Sequence, residues 1–525
     1  MTATERLRRK AAGLLVVRLG SNMQPPRRAE EDAAHVEALL GRYPLGGVIL
    51  FNGAWPQTRE TLVGLQHAAL QGDSARPLLV MTDMERGLGQ QVAGATTFPH
   101  ARAFAALGES EAMTERFARA SAREALACGV HVTFAPVADV NRNPDNPVIS
   151  IRAFSEVPAL AASLAAAYVR GCQAEGLLST AKHFPGHGST AEDSHAVLPS
   201  VPDARAVLDK TDLVPFRAAL DAGCELVMTA HVAYPALDPS GRPATLSAPI
   251  LQGLLRGEMG FEGVVISDSL HMGGIQADGR TEADLAVEQV RAGVDLLLDA
   301  RDPAAIIEAL AAAVEAGALG QERLDEALAR ADRLRARLTD RFGDDVFTDP
   351  GQAAAPDAVG AAEHRRLAMR VARGAVTVEG ETVHWETGAG LLAVLVRPHA
   401  SPLDPPEQPL GDALRERLPG VRYAEVGPGT SPEQLATLGE EAKAAERVLV
   451  ALVAKPAAWH AFGLRPEQHA FVEALLRVRP VVVAALGSAR VLDAFADAPT
   501  RLCAYSDAPA AQRALAEALA GKRAD

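Results

Sequence analysis

The amino-acid sequence predicts an α/β protein in which a (β/α)8 barrel of the TIM type is followed by a smaller, doubly wound α/β sandwich domain. Three observations support this prediction. Eight short apolar runs alternate with amphipathic stretches early in the 525-residue chain, a segment rich in Gly and Pro follows, and five further apolar runs complete the sequence. Two domains also suit the length, because a single core seldom grows beyond about 300 residues.

The candidate barrel strands are eight runs rich in apolar and β-branched residues. They lie at 14–20, 46–51, 77–83, 130–140, 177–184, 226–232, 264–270 and 295–300. The stretches between them place apolar residues three and four positions apart, which is the spacing of a surface helix. Eight alternations of strand and helix predict a parallel barrel over residues 1–342.

The barrel is followed by residues 343–358, a stretch of Gly, Pro, Asp and Ala without periodicity that predicts an interdomain linker. Five more strand candidates lie at 391–398, 421–426, 447–454, 481–487 and 501–506. Helical stretches separate them, so residues 359–525 are predicted to form an open, doubly wound sheet.

Composition excludes several kinds of partner. The formal net charge of -14 provides no basic patch for nucleic acid or anionic membrane, which favours a small neutral or weakly charged substrate. The four cysteines form no CxxC pair, so they are expected to be reduced core residues. Neither a secretory leader nor an apolar run of roughly 18 residues is recognised, and a cytoplasmic location is expected. The sequence leaves the oligomeric state open.

Polar residues follow the predicted strands at positions where a barrel would use them. Since barrel active sites are built at the carboxyl ends of the strands, a site is expected there. The residues at or just past strand ends are Asp83, Asp139, Lys182, His183, His231 and Asp268.

The loop AKHFPGHGSTAEDSHAVLP combines three imidazoles, a lysine and two acidic residues. Metal binding is one interpretation, although the Pro and Gly residues prevent His183 and His187 from sharing a helical face as in zincins. A solvated loop with incidental histidines is the second. Acid/base chemistry is the third, because Asp193 can orient and polarise His195, an imidazole that titrates near neutrality.

Two further segments place carboxylates at strand ends. Asp268 in GVVISDSLHMGG can attack an anomeric carbon or stabilise positive charge on a sugar ring, although an Asp in this place can also cap the next helix. Asp83 in VMTDMERGLGQQV precedes a GxG match, which alone is weak support for a nucleotide.

These segments, together with TFAPVADVNRNPDNPVISIRAF, MTAHVAYPALDP and PATLS, resemble glycoside hydrolase family 3 in order from Gly46 to Asp299. KHFPGHG followed by DSH is similar to the β-N-acetylglucosaminidase branch. The resemblance implies that Asp268 is a nucleophile and that His195, held by Asp193, is the general acid/base. It also implies no cofactor and no metal.

The same resemblance implies a set of sugar-binding residues. Those expected to bind the hydroxyls are Asp83, Arg152, Lys182 and His183, and Met272 is expected to line the pocket. One position departs from the family, because Gln91 stands where an arginine is usual, and a charged bidentate donor is thereby lost.

The implied function is that of a retaining exo-β-N-acetylglucosaminidase acting through a covalent intermediate, with muropeptides from peptidoglycan recycling as the expected carbohydrate source. Two alternatives remain. The first is a family 3 enzyme acting on another β-linked sugar or transferring N-acetylglucosamine to phosphate. The second is a non-catalytic sugar-binding protein, which the presence of Asp268, Asp193 and His195 disfavours.

Overall fold

The computed structural model describes residues 2–71, 76–194, 196–276, 279–401, 408–457, 460, 462–477 and 480–521. The chain divides into two compact units. The first contains Met1–Thr96, Glu111–Asn143 and Ala153–His364, and the second contains Thr97–Ser110, Pro144–Arg152 and Arg365–Asp525. Two short segments from the predicted barrel domain, 97–110 and 144–152, therefore belong to the second unit.

Eight parallel strands form the larger of the two sheets in the first unit; the smaller pairs Gly53–Ala54 with Val92–Ala93. The eight strands are β1 (Leu15–Leu19), β2 (Gly47–Leu50), β3 (Leu79–Thr82), β4 (Val132–Thr133), β5 (Leu178–Phe184), β6 (Leu226–Thr229), β7 (Val264–Ile266) and β8 (Leu297–Leu298). Each strand pairs with its neighbours in sequence, and β8 pairs with β1. A parallel bridge from Ile266 to Leu296 connects the two ends of the sheet. The predicted eight-stranded barrel is confirmed.

Helices follow most of these strands, as the alternating pattern predicts. They are α1 (Ala3–Ala12), α2 (Ala29–Leu40), α3 (Gln57–Ala69), α4 (Ala101–Ala105), α5 (Ser110–Cys128), α6 (Pro158–Glu175), α7 (Arg205–Leu208), α8 (Leu213–Asp221), α9 (Gly273–Gln276), α10 (Glu282–Ala292), α11 (Pro303–Glu315) and α12 (Gln321–Phe342), with a π-helix at Pro249–Glu258. The α4 segment belongs to the second unit. In the described parts of the chain, no helix combines the length and apolarity that crossing a bilayer requires.

Local sequence explains where individual helices begin and end. Helix α6 begins with Pro158, whose missing N–H is not needed in a first turn, and it ends at Gly176 in the left-handed conformation. Helix α10 begins at a capping box in which Thr281 and Asp284 exchange side-chain and backbone hydrogen bonds. These signals set the helix ends that return the chain to the next strand.

The predicted linker is partly packed against the barrel. It forms short 3-10 turns at Asp344–Phe347, Pro350–Gln352 and Pro356–Ala358. Val346 and Phe347 are buried with strand and α12 side chains in one apolar cluster, and the Phe347 ring contacts His131 edge-on at 4.9 Å between centroids. The composition rich in Gly and Pro therefore produces turns here, not an open tether.

The second unit contains a six-stranded sheet. Its strands are β9 (Thr377–Gly380), β10 (Leu391–Val396), β11 (Arg422–Val426), β12 (Arg447–Ala454), β13 (Val481–Gly487) and β14 (Thr500–Cys503), in the order β9-β14-β13-β12-β10-β11. The last five are parallel, which confirms the predicted doubly wound sheet, and β9 adds an antiparallel edge. Helices α13 (Ala362–Ala375), α14 (Pro409–Arg417), α15 (Pro432–Ala444), α16 (Pro466–Leu476) and α17 (Pro509–Leu519) accompany it.

All four cysteines are buried free thiols, as the sequence predicts. Burial raises the pKa of Cys128, Cys224 and Cys503 to about 12. A thiol with such a pKa carries little nucleophilic thiolate near neutrality, so these residues serve packing.

Candidate active site

Polar side chains gather at the carboxyl ends of the barrel strands. Because all eight strands are parallel, these ends share one face of the barrel. Asp83 directly follows β3, Lys182 and His183 end β5, His231 follows β6, Asp268 follows β7 and Asp299 follows β8. The polar residues expected at strand ends therefore lie at this face, and Asp299 lies there with them.

Lys182 lies between two carboxylates. Its Nζ donates hydrogen bonds to Asp83 Oδ1 at 2.6 Å and to Glu85 Oε1 at 2.8 Å, while its side chain is only 3 % exposed. A buried ammonium needs such partners, since an unpaired charge in this place would be costly. Glu85 is absent from the predicted site, although its position two residues beyond Asp83 was a usable signal.

His183 is oriented by Asp139, which is fully buried. The Asp139 carboxylate accepts hydrogen bonds from His183 Nδ1 at 2.7 Å and from the His187 backbone N–H at 2.6 Å. Residues 135–138 run beside β5 and bring Asp139 to this position. The carboxylate holds the proton on Nδ1, which fixes the ring and turns Nε2 away from Asp139.

The segment that carries Asp193 makes hydrogen bonds on both sides of position 195. The Asp193 carbonyl accepts hydrogen bonds from the N–H groups of Ala196 and Val197. Ser194 is buried and its Oγ lies 2.8 Å from His187 Nε2. His195, the predicted general acid/base, lies outside the described residues.

Asp268 lies in a loop between β7 and α9. Its Oδ1 accepts a hydrogen bond from the Ser269 N–H at 2.7 Å. Helix α9 begins only at Gly273, so an N-cap would fall at Met272 and the helix-capping alternative for Asp268 is wrong. The carboxylate is half-buried at the barrel face, where it can meet a ligand.

Residues that follow the two neighbouring strands, β6 and β8, fix the residue after Asp268. Ser269 donates its hydroxyl hydrogen bond to Asp299 Oδ2 at 2.8 Å, and its carbonyl accepts from His231 Nε2 at 3.1 Å. Arg18 Nε donates to Asp299 Oδ1 at 2.8 Å, which neutralises that buried carboxylate. His271 Nε2 lies 3.6 Å from Asp299 Oδ1, and burial lowers the pKa of the His271 imidazole. This network holds the Asp268 loop in one place.

The remaining predicted binding residues, Gln91, Met272 and Arg152, each lie in a different environment. Gln91 is 7 % exposed, and its Oε1 accepts a hydrogen bond from Asn22 Nδ2 at 2.8 Å. Met272, four residues beyond Asp268, is buried. Arg152 belongs to the second unit, where its guanidinium donates to the Val148 carbonyl at 2.9 Å.

The metal-binding interpretation of the histidine-rich loop gains no support from the geometry. Across the described residues, no group of three or more His, Cys, Asp or Glu side chains is arranged to hold a metal ion. His183 and His187 instead use their Nδ1 atoms on Asp139 and Thr190. The loop is therefore organised by hydrogen bonds between its own residues and the strand ends.

The chain is similar to known proteins over most of its length. The family model for the Glycosyl hydrolase family 3 N terminal domain matches residues 6–334. Beta-hexosaminidase A of Pseudoalteromonas piscicida is 36% identical over 366 residues, which cover 65% of this chain and 60% of that protein, less than two thirds of its length. A beta-hexosaminidase of Xylella fastidiosa (strain 9a5c) is 38% identical over 318 residues, covering 57% of this chain and 92% of the relative.

A solved structure resembles the whole chain. It is a glycoside hydrolase family 3 beta-N-acetylglucosaminidase from Paenibacillus sp. str. FPU-7, with a TM-score of 0.85 and 32% sequence identity. The match covers 100% of this chain and 97% of that one. Both units therefore have counterparts in a single known protein.

Proposed function

The chain belongs to glycoside hydrolase family 3, and on this basis we propose that it is a retaining exo-β-N-acetylglucosaminidase that removes terminal β-linked N-acetylglucosamine. One observation carries the proposal. The loop of Asp268 and the segment of Asp193 touch, because the Gly274 N–H donates a hydrogen bond to the Ser194 carbonyl at 3.2 Å. A nucleophile and an acid/base dyad on adjoining segments are what a two-step glycosidase requires.

In the proposed first step, an Asp268 carboxylate oxygen attacks the anomeric carbon. The bond from that carbon to the glycosidic oxygen breaks, and the oxygen takes a proton from His195, which Asp193 orients. A covalent glycosyl ester remains on Asp268. In the second step His195 removes a proton from water, the resulting hydroxide displaces Asp268, and the sugar leaves with its anomeric configuration retained.

The sugar itself is proposed to bind at the end of β3 and β5. Asp83 and Lys182 offer a carboxylate acceptor and an ammonium donor that already face each other. His183, held by Asp139, adds a ring nitrogen whose direction is fixed. Groups that are pre-oriented in this way lower the entropic cost of placing the anomeric carbon near the nucleophile.

The sugar preference is proposed from relatives. Two beta-hexosaminidases and one beta-N-acetylglucosaminidase share 32–38% of aligned residues with this chain. We further propose muropeptides from peptidoglycan as the source of the sugar and the cytoplasm as the place of action, in line with the expectation from the sequence. Arg152 and Met272 remain proposed pocket residues, and Gln91 a proposed point of difference from the family.

The proposal is tested by nitrophenol release from matched β-N-acetylglucosaminide and β-glucoside substrates, with and without phosphate, by wild type and Asp268→Ala. We expect Asp268-dependent turnover of the acetamido sugar only. Faster turnover with phosphate, yielding a sugar phosphate, would indicate a phosphorylase. Preference for the glucoside would contradict the sugar assignment, and binding of N-acetylglucosamine without turnover of either substrate would indicate a sugar-binding protein.

A further inference from the structure

Asp299 has an uncommon backbone conformation. It follows β8 with a φ of 69°, in the left-handed region that residues with a side chain seldom adopt, and its side chain is buried. Such a conformation persists only where the surroundings hold it, and it is found most often at functional sites. The contacts of Asp299 therefore show which part of the molecule depends on it.

Asp299 is held by β1, the strand next to β8, through both its backbone and its side chain. Its N–H donates to the Val16 carbonyl at 2.8 Å. Its carboxylate receives a bidentate contact from Arg18, in which Nε donates to Oδ1 at 2.8 Å and Nη2 donates to Oδ2. A bidentate arginine fixes the plane of a carboxylate and cancels its charge, which a buried carboxylate requires.

Ser269 connects this ion pair to the proposed nucleophile. Its hydroxyl donates to Asp299 Oδ2 at 2.8 Å, and its backbone N–H donates to Asp268 Oδ1 at 2.7 Å. Both carboxylates thus contact the same serine, one at its side chain and the other at its main chain. A charge left uncompensated on either member of the ion pair would therefore act on Asp268 at short range.

Other ionisable groups also lie around Ser269. His231 Nε2 lies 3.1 Å from the Ser269 carbonyl, and His271 Nε2 lies 3.6 Å from Asp299 Oδ1. Arg301 Nε donates to His271 Nδ1, and since an arginine can only donate, that nitrogen carries no proton and the imidazole is neutral. Substitutions in the ion pair leave these three side chains in place, so wild type and variants share their influence.

We propose that Arg18 and Asp299 are positioning residues for Asp268. Asp299 holds Ser269, whose N–H binds the Asp268 carboxylate, and Arg18 cancels the charge that Asp299 would otherwise place beside the nucleophile. The ion pair thus supports the loop without adding charge to it. The role in catalysis rests on the proposed function, whereas the support of the loop does not.

The first test is the pH profile of kcat/KM for an activated aryl N-acetylglucosaminide. Its acidic limb reports the ionisation of Asp268 in the free enzyme, because attack needs an ionised nucleophile and this leaving group needs little protonation. In Arg18→Met the unpaired charge of Asp299 opposes a second negative charge, and we expect the limb to move up by about 1 pH unit. In Asp299→Asn the unpaired Arg18 favours that charge, and the limb should move down by about 1 pH unit.

These opposite shifts distinguish positioning from a merely structural role, which would lower activity in both variants without moving the limb in opposite directions. The double variant Arg18→Met/Asp299→Asn carries no charge at either position, so its limb should return to within about 0.3 pH units of wild type. Shifts in the same direction, or no shift in either single variant, would overturn the proposal.

A second arginine–carboxylate pair of the barrel is the matched control. Arg8 Nη2 lies 2.7 Å from Glu308 Oε2, and 44 % and 55 % of the two side chains are exposed. Arg8→Met and Glu308→Gln remove the same charges from two surface helices, α1 and α11, where solvent and salt screen them, so the acidic limb should stay in place. Shifts as large as those of the Arg18 and Asp299 variants would show a general effect of charge and would contradict the proposal.

The support of the loop is tested without catalysis by amide hydrogen exchange. Asp299→Gly removes the carboxylate but adopts the left-handed conformation freely. We expect it to raise the exchange rate of peptides covering residues 264–272 about 10-fold and to leave peptides covering β2 unchanged, whereas Arg8→Met should alter neither. Unchanged exchange at 264–272 would overturn the proposal. If the wild type turned over no N-acetylglucosaminide while Asp299→Gly raised this exchange, the proposed function would be wrong and the support of the loop would stand.

Discussion

Lys182 Nζ lies 2.6 Å from Asp83 Oδ1, which joins two residues that are 99 positions apart in the sequence. The same ammonium lies 2.8 Å from Glu85, so one buried cation serves two carboxylates. The pair links the ends of β3 and β5 at the face where Asp268 also lies. Two of the proposed sugar-binding residues therefore also contribute to local stability through one contact.

Replacing Lys182 by methionine removes the charge and keeps much of the side-chain volume. We expect kcat/KM for a nitrophenyl N-acetylglucosaminide to fall about 100-fold, because charge-assisted hydrogen bonds are lost and two carboxylates face each other without a cation. Lys210→Met, at an exposed lysine, is the control. A decrease of less than twofold in Lys182→Met would contradict a role in binding the sugar.

Ser269→Ala tests the support of the proposed nucleophile. Without the hydroxyl that donates to Asp299, the loop of Asp268 loses one of its fixed contacts. We expect kcat to fall about 10-fold for activated and poor leaving groups alike, since nucleophilic attack is common to both. A loss confined to the poor leaving group would show that Ser269 acts on proton transfer instead.

Asp139→Asn tests the buried carboxylate that orients His183. The two carboxylate oxygens of Asp139 accept from His183 Nδ1 and from the His187 N–H, whereas an amide has only one acceptor oxygen. In Asp139→Asn, one of these buried donors would therefore face the amide NH2 group. We expect a loss of about 2 kcal/mol in stability and a Tm lower by about 3 °C. Thermal denaturation measures it, with the exposed Asp344→Asn as control. An unchanged Tm would be inconsistent with these hydrogen bonds.

The lowered pKa of the buried His131 side chain should make the stability of the protein depend on pH. Its Nδ1 accepts the Val80 N–H at 3.1 Å, and burial, followed by the Arg335 charge, lowers its pKa from 6.5 to about 3. Between these values the unfolded chain binds a proton that the folded chain does not. The free energy of unfolding therefore falls as pH drops from 6.5 toward 3, by about 1.4 kcal/mol per pH unit for this residue.

His131→Asn keeps an acceptor for Val80 and cannot be protonated in this range. We expect its Tm to lie below that of wild type near neutrality and the difference to narrow as pH falls from 6.5 toward 3. His35→Asn, at an exposed histidine, controls for the loss of an imidazole. A Tm difference that stays constant over this pH range would contradict the buried, neutral state of His131.

The barrel strands could be predicted from sequence because they are buried on both faces and consist of continuous apolar runs. All eight predicted runs contain an observed strand. Strand β9 was missed because TVEG is only four residues long, is exposed at every position and contains a single apolar residue, Val378. A strand at the edge of a sheet can form from backbone pairing alone, and composition does not reveal it.

For the candidate site, the sequence indicated individual residues but not the contacts between them. Position at a strand end was enough to select Asp83, Lys182, His183 and Asp268 as candidates. Asp139 was also expected at a strand end, but its contact with His183, like that of Asp299 with Ser269, depends on which strands become neighbours. Spacing along the chain does not specify this.

The identity of the nucleophile is tested most directly by trapping the covalent intermediate. The enzyme is incubated with an activated 5-fluoro N-acetylglucosaminyl fluoride, which slows hydrolysis of the glycosyl ester, and its peptides are then analysed by mass spectrometry. We predict one added glycosyl unit on Asp268 in wild type and none in Asp268→Asn. A label on another carboxylate, or turnover that releases an inverted sugar without any adduct, would contradict the account.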